Sequence, residues 1–247
     1  MRIRLIACEV LFRELCGAAA RSPHQVDVEF LEKGMHDFGA AAMRKELQFR
    51  IDATDASKYD AIALDYALCG NGLHGLHATR LPLVAPRAHD CIALLLGSRE
   101  RYADYFNSHP GTYFRSTGWL ESGKSLVPLA QVRLGTGVSL QALVEKYGEE
   151  NGTYLFAELN KYQSAYRRLV YIKTGLESDR RFELEARAEA AKSNWEYDIL
   201  DGDLRLLRML VNAEWDPSDF LVVQPGERIV ARYDEAVIHA VAGEPAD

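Results

Sequence analysis

Two apolar runs, residues 60–67 and 81–85, constrain this chain most: both read as strands buried in a sheet, and each feeds a loop that carries a cysteine, Cys69 or Cys91. Pro82 is tolerated at the start of the second run. The segments before them have the same character. Residues 2–7 alternate and then become wholly apolar, a first strand ending at Cys8. Glu9 opens a helix whose Val10, Leu11, Leu15 and Cys16 are spaced to face the sheet, and Gly17 marks its end. A second strand covers 26–31, and the Gly34-Met35-His36-Asp37 turn leads into a helix over 37–52 with Asp37 as its N-cap. Asp90 caps a further helix, CIALLLGS, which places Cys91 in its first turn.

Strands alternating with helices imply right-handed crossovers and a parallel sheet. In such a sheet every strand-to-helix loop lies on the carboxyl edge, where open α/β proteins bind ligands. Cys8, His36, Cys69 and the His89-Asp90-Cys91 trio each follow a different strand, so they are expected to converge.

The second half is less regular. A helix over 98–107 is followed by the His109-Pro110-Gly111 turn and by GTYFRSTGWLES, a strand by its aromatic and β-branched content. Residues 139–163 read as helical from a Ser139 cap with a break near Gly148 to Gly152, followed by a strand at 168–175 and a charged helix at 179–192. WEYDIL and DFLVVQPG read as strands on either side of a helix from Asp203 to about Asn212. The expected fold is therefore α/β, with mostly parallel sheets, helices on both faces and a cleft at the strand carboxyl ends. Both halves read as α/β, which points to two closely packed lobes, residues 1–110 with the Cys/His site and 111–247, or to one enlarged sheet.

Composition narrows the function. A net charge of −7, with both signs interspersed, offers no basic face, so neither nucleic acid nor a membrane is an expected partner. No run approaches the roughly 18 apolar residues of a membrane span. The N-terminal MRIRLIACEVLF, with its acid at Glu9, fits a strand better than a signal peptide, which leads to a cytoplasmic expectation. Four cysteines make no disulfide framework and are more often buried, catalytic or metal-bound in a reducing compartment.

Cys8, Cys69, His89 and Cys91 form a soft-ligand set that suits zinc, and three of the thiols suit an iron-sulfur cluster. Three protein ligands with an open position would make a catalytic centre, and His36 or Asp90 is available as a fourth ligand or outer donor. Metal-free thiol catalysis and plain buried thiols are the alternatives. Cys91, in a first helical turn beside Asp90, is the leading nucleophile, since exposed amides and the helix dipole acidify a thiol there.

GNGLHG at 70–75 matches Gly-x-Gly-x-x-Gly, but the chain reaches Pro82 too soon for a crossover helix, and the match follows the third strand instead of the first. Its expected role is local: Gly70, Asn71 and Gly72 let the backbone approach a bound cofactor and offer N–H groups to an anion. His74 and His77 read as surface residues, Glu149 and Glu150 as helix-start acids near a pocket, and Asp203 as a cap with ligand binding second. No Gly-x-Ser-x-Gly elbow, Walker loop or His-Glu-x-x-His helix is present, which removes the commonest hydrolase, NTPase and zinc-peptidase readings.

ACEVLFREL, DYALCGNGLHGL, PRAHDCIALLLGS, PGTYFRSTGW, YGEENGTYL and DGDLRLLRMLV together resemble an uncharacterised bacterial and archaeal family known only as a domain of unknown function, over about residues 3–230. Cys8, Cys69, Gly70, Asn71, Gly72, His89, Asp90 and Cys91 match its characteristic stretches. The resemblance implies an association with corrinoid-dependent methyl-transfer systems. The expectation that follows is a metal-dependent enzyme or accessory protein of one-carbon metabolism. It would act on a small-molecule substrate, with a corrinoid protein as a further partner. A racemase-type cysteine enzyme, an iron-sulfur protein and a non-catalytic small-molecule or corrinoid-binding protein stand beside it.

Overall fold

The computed structural model describes residues 1–33, 39–122, 140–154, 166–232 and 234–243. The elements run β1 (Arg2–Cys8), α1 (Phe12–Ala19), β2 (Gln25–Leu31), α2 (Ala40–Ala53), β3 (Ala61–Asp65), β4 (Leu83–Pro86), α3 (Cys91–Leu96), α4 (Arg99–Ser108) and β5 (Thr112–Ser116). They continue through α5 (Thr117–Glu121), α6 (Leu140–Tyr147), β6 (Arg168–Lys173), α7 (Arg181–Lys192), β7 (Glu196–Asp201), α8 (Arg205–Val211), β8 (Phe220–Val223), β9 (Glu227–Ala231) and β10 (Ile238–Ala242).

The first sheet has the order β2-β1-β3-β4-β8 and is parallel except for β8, which runs antiparallel to β4. Every residue of β3 and β4 is buried, as expected of parallel strands covered on both faces. Helix α2 turns Met43, Leu47 and Ile51 inward, a single stripe at i, i+4 and i+8. The second sheet, β5-β6-β7, is parallel throughout. Helices surround both sheets, and the α/β architecture expected of the sequence is the one observed.

The chain beyond residue 110 builds the second sheet and then returns to the first through β8. One core cluster joins the two regions, with Ile172 of β6 fully buried in it and Phe114, Trp119 and Leu200 packed against it. The carboxyl edge of the second sheet is where they meet. Gly202, just past β7, lies against the Leu95 carbonyl, and the Asp203 N–H donates to that carbonyl at 2.9 Å. Past β5, Ser122 Oγ donates to the Glu9 carbonyl at 3.3 Å.

Local differences from the sequence reading have physical causes. Glu9–Leu11 form a 3-10 turn before α1 begins. The strand expected over GTYFRSTGWLES stops at Ser116, because its hydroxyl accepts from Trp119 N–H at 3.4 Å and caps α5. Gly39, at φ 84°, takes the N-cap position of α2; the Asp37 cap, like the Ser139 cap and residues 155–163, lies outside the described residues. The β9–β10 hairpin was not anticipated. It clasps the Gly-rich segment: Gly75 N–H donates to Ile229 O, Ile229 N–H to Leu76 O, and Ala231 N–H to His74 Nδ1. His74 thus has a structural role where the sequence suggested surface, and no crossover helix follows GNGLHG. Among the described residues, no helix is long and apolar enough to cross a membrane.

Candidate functional site

Parallel register assembles the candidate site. Ala7 of β1 pairs with Asp65 of β3, so Cys8 emerges beside the start of the loop that leads to Cys69. That loop is stitched to the one after β4: Leu68 N–H donates to Ala88 O and Cys69 N–H to His89 O, both at 2.9 Å. Two residues later the chain enters α3 at Cys91. Cys8, Cys69 and Cys91 are close enough that Cys8 acts electrostatically on both other thiols and Cys69 acts on Cys91. Cys8 is buried, while Cys69 and Cys91 keep partial exposure.

Asp90 is the N-cap of α3. Its Oδ1 accepts from Ile92 N–H at 3.0 Å and Ala93 N–H at 3.3 Å, and its Oδ2 accepts from the Tyr102 hydroxyl at 2.8 Å. Asp90→Ala is therefore expected to lower stability by about 1–2 kcal/mol, with most of the loss restored in Asp90→Asn; denaturant titration of both variants checks this.

The predicted histidines are placed differently from the cysteines. His89 is exposed and contributes its backbone carbonyl to the site, and the residue lines a cleft of about 380 Å³ with Arg99, Glu100, Asp104 and Glu235. His36 lies outside the described residues. Among the described residues, no group of three or more His, Cys, Asp or Glu side chains stands in metal-holding geometry.

Cys69, Gly70 and Asn71 have φ of 43°, 66° and 74°, one left-handed turn closed by Gly72 N–H donating to Leu68 O at 2.9 Å. Left-handed backbone costs an L-residue roughly 1–2 kcal/mol, which Asn bears better than Cys. The stitching to residues 88 and 89 holds the turn in place. Gly72 is packed from the other side: a Cβ there would fall 2.4 Å from Met43 Sδ, so the Met43 side chain would have to shift. Its N–H is engaged within the turn, which leaves exposed Gly70 and Asn71 as the positions whose amides can meet a ligand.

Residues that the sequence reading did not single out complete the surroundings. Trp119 comes from the second sheet, in the helix after β5, and packs against the first core. Its buried indole N–H makes no hydrogen bond of ordinary length, and it favours the thiolate form of Cys91. Lys33 Nζ lies 5.1 Å from the Trp119 ring centroid, a cation–π contact. Applying the strand-end rule to β5 as well as β1, β3 and β4 would have pointed to Trp119.

The electrostatics keep the thiols protonated. Burial pushes Cys8 up to about 12. Burial, then the charge of Asp90, then the neighbouring thiols raise Cys69 and Cys91. The acidification expected of Cys91 is overturned: α3 is only six residues long, its first free amides donate to Asp90, and desolvation wins. Asp90 itself is raised by burial, against the opposing hydrogen bonds from Tyr102, Ala93 and Ile92. Asp65 is raised well above the usual carboxylate range by complete burial and by Glu14.

The profile of a family described as "Protein of unknown function (DUF1638)" matches residues 30–211. The match contains Cys69, the 70–72 turn, His89, Asp90, Cys91 and Trp119; it leaves out Cys8 and stops before β8, short of the 3–230 expected at both ends. No curated protein and no solved structure matches the chain. With most of its length inside that profile, this chain belongs to the DUF1638 family of proteins of unknown function.

Proposed function

We propose that the chain binds a soft metal, zinc or an iron-sulfur cluster, through Cys8, Cys69 and Cys91 at the junction of its two sheets, and uses it on a small-molecule substrate. The observation that carries this reading is the set of three thiols delivered by three strand ends into low-dielectric surroundings that already hold Asp65 and Asp90. An apolar, acid-rich setting opposes a free thiolate, and a bound cation is what reverses that preference, because coordination deprotonates a thiol outright. The same setting counts against a metal-free, racemase-type reaction, which needs a thiolate at neutral pH. His89 would serve as a nitrogen ligand only by leaving the cleft it lines.

A thiolate-bound zinc supplies Lewis-acid activation of a thiol or water. The chain's own residues fix the ligands: Asp90 pins the start of α3 and with it Cys91, the left-handed turn pins Cys69, and β1 pins Cys8. Methyl transfer to a thiol, in corrinoid-linked one-carbon metabolism, is the reaction that the sequence resemblance adds to this reading.

Metal analysis of protein purified without a polyhistidine tag tests it. We expect about one zinc per chain, or a brown colour after anaerobic purification, and a fall of about tenfold or more in affinity for each of Cys8→Ser, Cys69→Ser and Cys91→Ser. Less than about a tenth of an equivalent after zinc or anaerobic iron reconstitution overturns it.

A further inference from the structure

Two acids are sealed in, one on α1 and one at the end of β3. Asp65, the last residue of β3, is 1% exposed, and Glu14, on α1, is 0% exposed. Neither oxygen of Asp65 has a hydrogen-bond partner, and neither does Glu14 Oε2. Glu14 Oε1 accepts from Thr174 Oγ1 at 3.0 Å, and Thr174 directly follows β6. The charge of Glu14 acts on Asp65. Arg13, the nearest base in sequence, is held by Glu121 through two hydrogen bonds, and Glu177, which accepts from Thr174 N–H at 2.7 Å, adds negative charge.

A buried carboxylate without a partner costs several kcal/mol, and two near one another cost more. Protonation would remove the charge, yet each acid would gain an O–H that needs an acceptor. A cation resolves both problems, since it neutralises the pair and satisfies the orphaned oxygens together. The donors are carboxylate and hydroxyl oxygens, with no nitrogen or sulfur, which selects a hard ion. Two carboxylates match a charge of +2.

We propose that Asp65, Glu14 and the Thr174 hydroxyl form a site for a hard divalent cation of the Mg²⁺, Mn²⁺ or Ca²⁺ class, with ligands distinct from the three thiols. The ion would tie β3 and α1 of the first sheet to the end of β6 in the second, with water completing its shell.

Mn²⁺ is the probe, added to the chelator-treated full chain and followed by the electron paramagnetic resonance of free Mn²⁺. The expected result is about one Mn²⁺ per chain, displaced by excess Mg²⁺ or Ca²⁺. Asp65→Asn and Glu14→Gln, both nearly isosteric and checked for folding by circular dichroism, should each weaken binding by about tenfold or more. Thr174→Val removes a hydroxyl without changing charge and should weaken it several-fold. A variant with Cys8, Cys69 and Cys91 all changed to serine should keep Mn²⁺ while losing zinc, so the two sites succeed or fail separately. Absence of Mn²⁺ binding to the wild type overturns the proposal, as does wild-type affinity in both Asp65→Asn and Glu14→Gln.

Discussion

Gly118→Ala is expected to lower stability by about 4 kcal/mol or more, the range reserved for clashes that the surrounding structure cannot absorb. A Cβ on Gly118 would fall 1.7 Å from the Val10 carbonyl oxygen and 2.7 Å from its carbon. Both sides of this contact are backbone, so no rotamer change relieves it. Gly118 belongs to α5, which follows β5 of the second sheet, while Val10 lies in the turn after β1 of the first. An added methyl would therefore act as a wedge between the two sheets. For a chain of this length, each kcal/mol is worth roughly 2–4 °C, so melting should fall by about 8–16 °C. Trp119 would shift away from Cys91, and the Arg13–Glu121 ion pair would be strained with it. Gly175→Ala is the control: its φ is 80° but the space around it is open, so only the backbone cost of about 1 kcal/mol applies. Equal losses in the two variants would show that the sheets are not in backbone contact at Gly118.

The first half of this fold was legible because its strands are written as uninterrupted apolar runs. β3 and β4 are buried on both faces, and a chain with such strands alternating with helices has few topologies open to it. From that topology, one rule about carboxyl edges was enough to bring Cys8, Cys69 and Cys91 together. The rest depends on docking that short patterns do not encode. Phe220–Val223 announces a strand, but nothing in FLVV says that its partner is β4, more than 130 residues earlier. The β9 and β10 segments carry Arg228 and His239 within their runs, and their pairing leans on backbone donated by residues 75–78. Neither Asp65 nor Glu14 was singled out by the sequence. Glu14 is tied to the residue after β6 through Thr174, and Gly17 of α1 faces the side chain of Leu176. His89 lies differently from the cysteines: the neighbouring Asp90 caps α3, while His89 is exposed and lines an outer cleft.

The chelator-treated protein should be most stable in acid, at about pH 4 to 5, and should lose stability toward neutrality. Asp65, Glu14 and Asp90 are all raised, in each case chiefly by burial, from ordinary values of 3.8 for aspartate and 4.5 for glutamate. Below those values the folded and unfolded chains both hold the protons. Above them the unfolded chain ionises first and is favoured, so each such acid removes up to about 1.4 kcal/mol per pH unit until its own folded pKa is passed. The acids shifted the other way act only at lower pH. Asp27, bonded by Arg2 and Tyr59, Glu121, bonded by Arg13, and Asp55, lowered to about 2 by Ser57, stabilise the fold once pH exceeds their unfolded values and lose that effect as pH falls. Their contribution is complete by about pH 5, where the penalty of the buried acids is still growing. Cys8, raised from 9.0 to about 12 by burial, repeats the loss in alkali. Asp65→Asn removes one buried acid, so its profile between pH 5 and 8 should be flatter by up to about 1.4 kcal/mol per pH unit, and the variant should exceed the wild type at neutrality. Mn²⁺ should raise the wild type more than Asp65→Asn, because a ligand that binds only the folded state stabilises it by mass action in proportion to the logarithm of its affinity. Urea midpoints at constant ionic strength, with chelator present, measure these profiles. Parallel curves for wild type and Asp65→Asn would mean that Asp65 is already ionised and paired inside the fold.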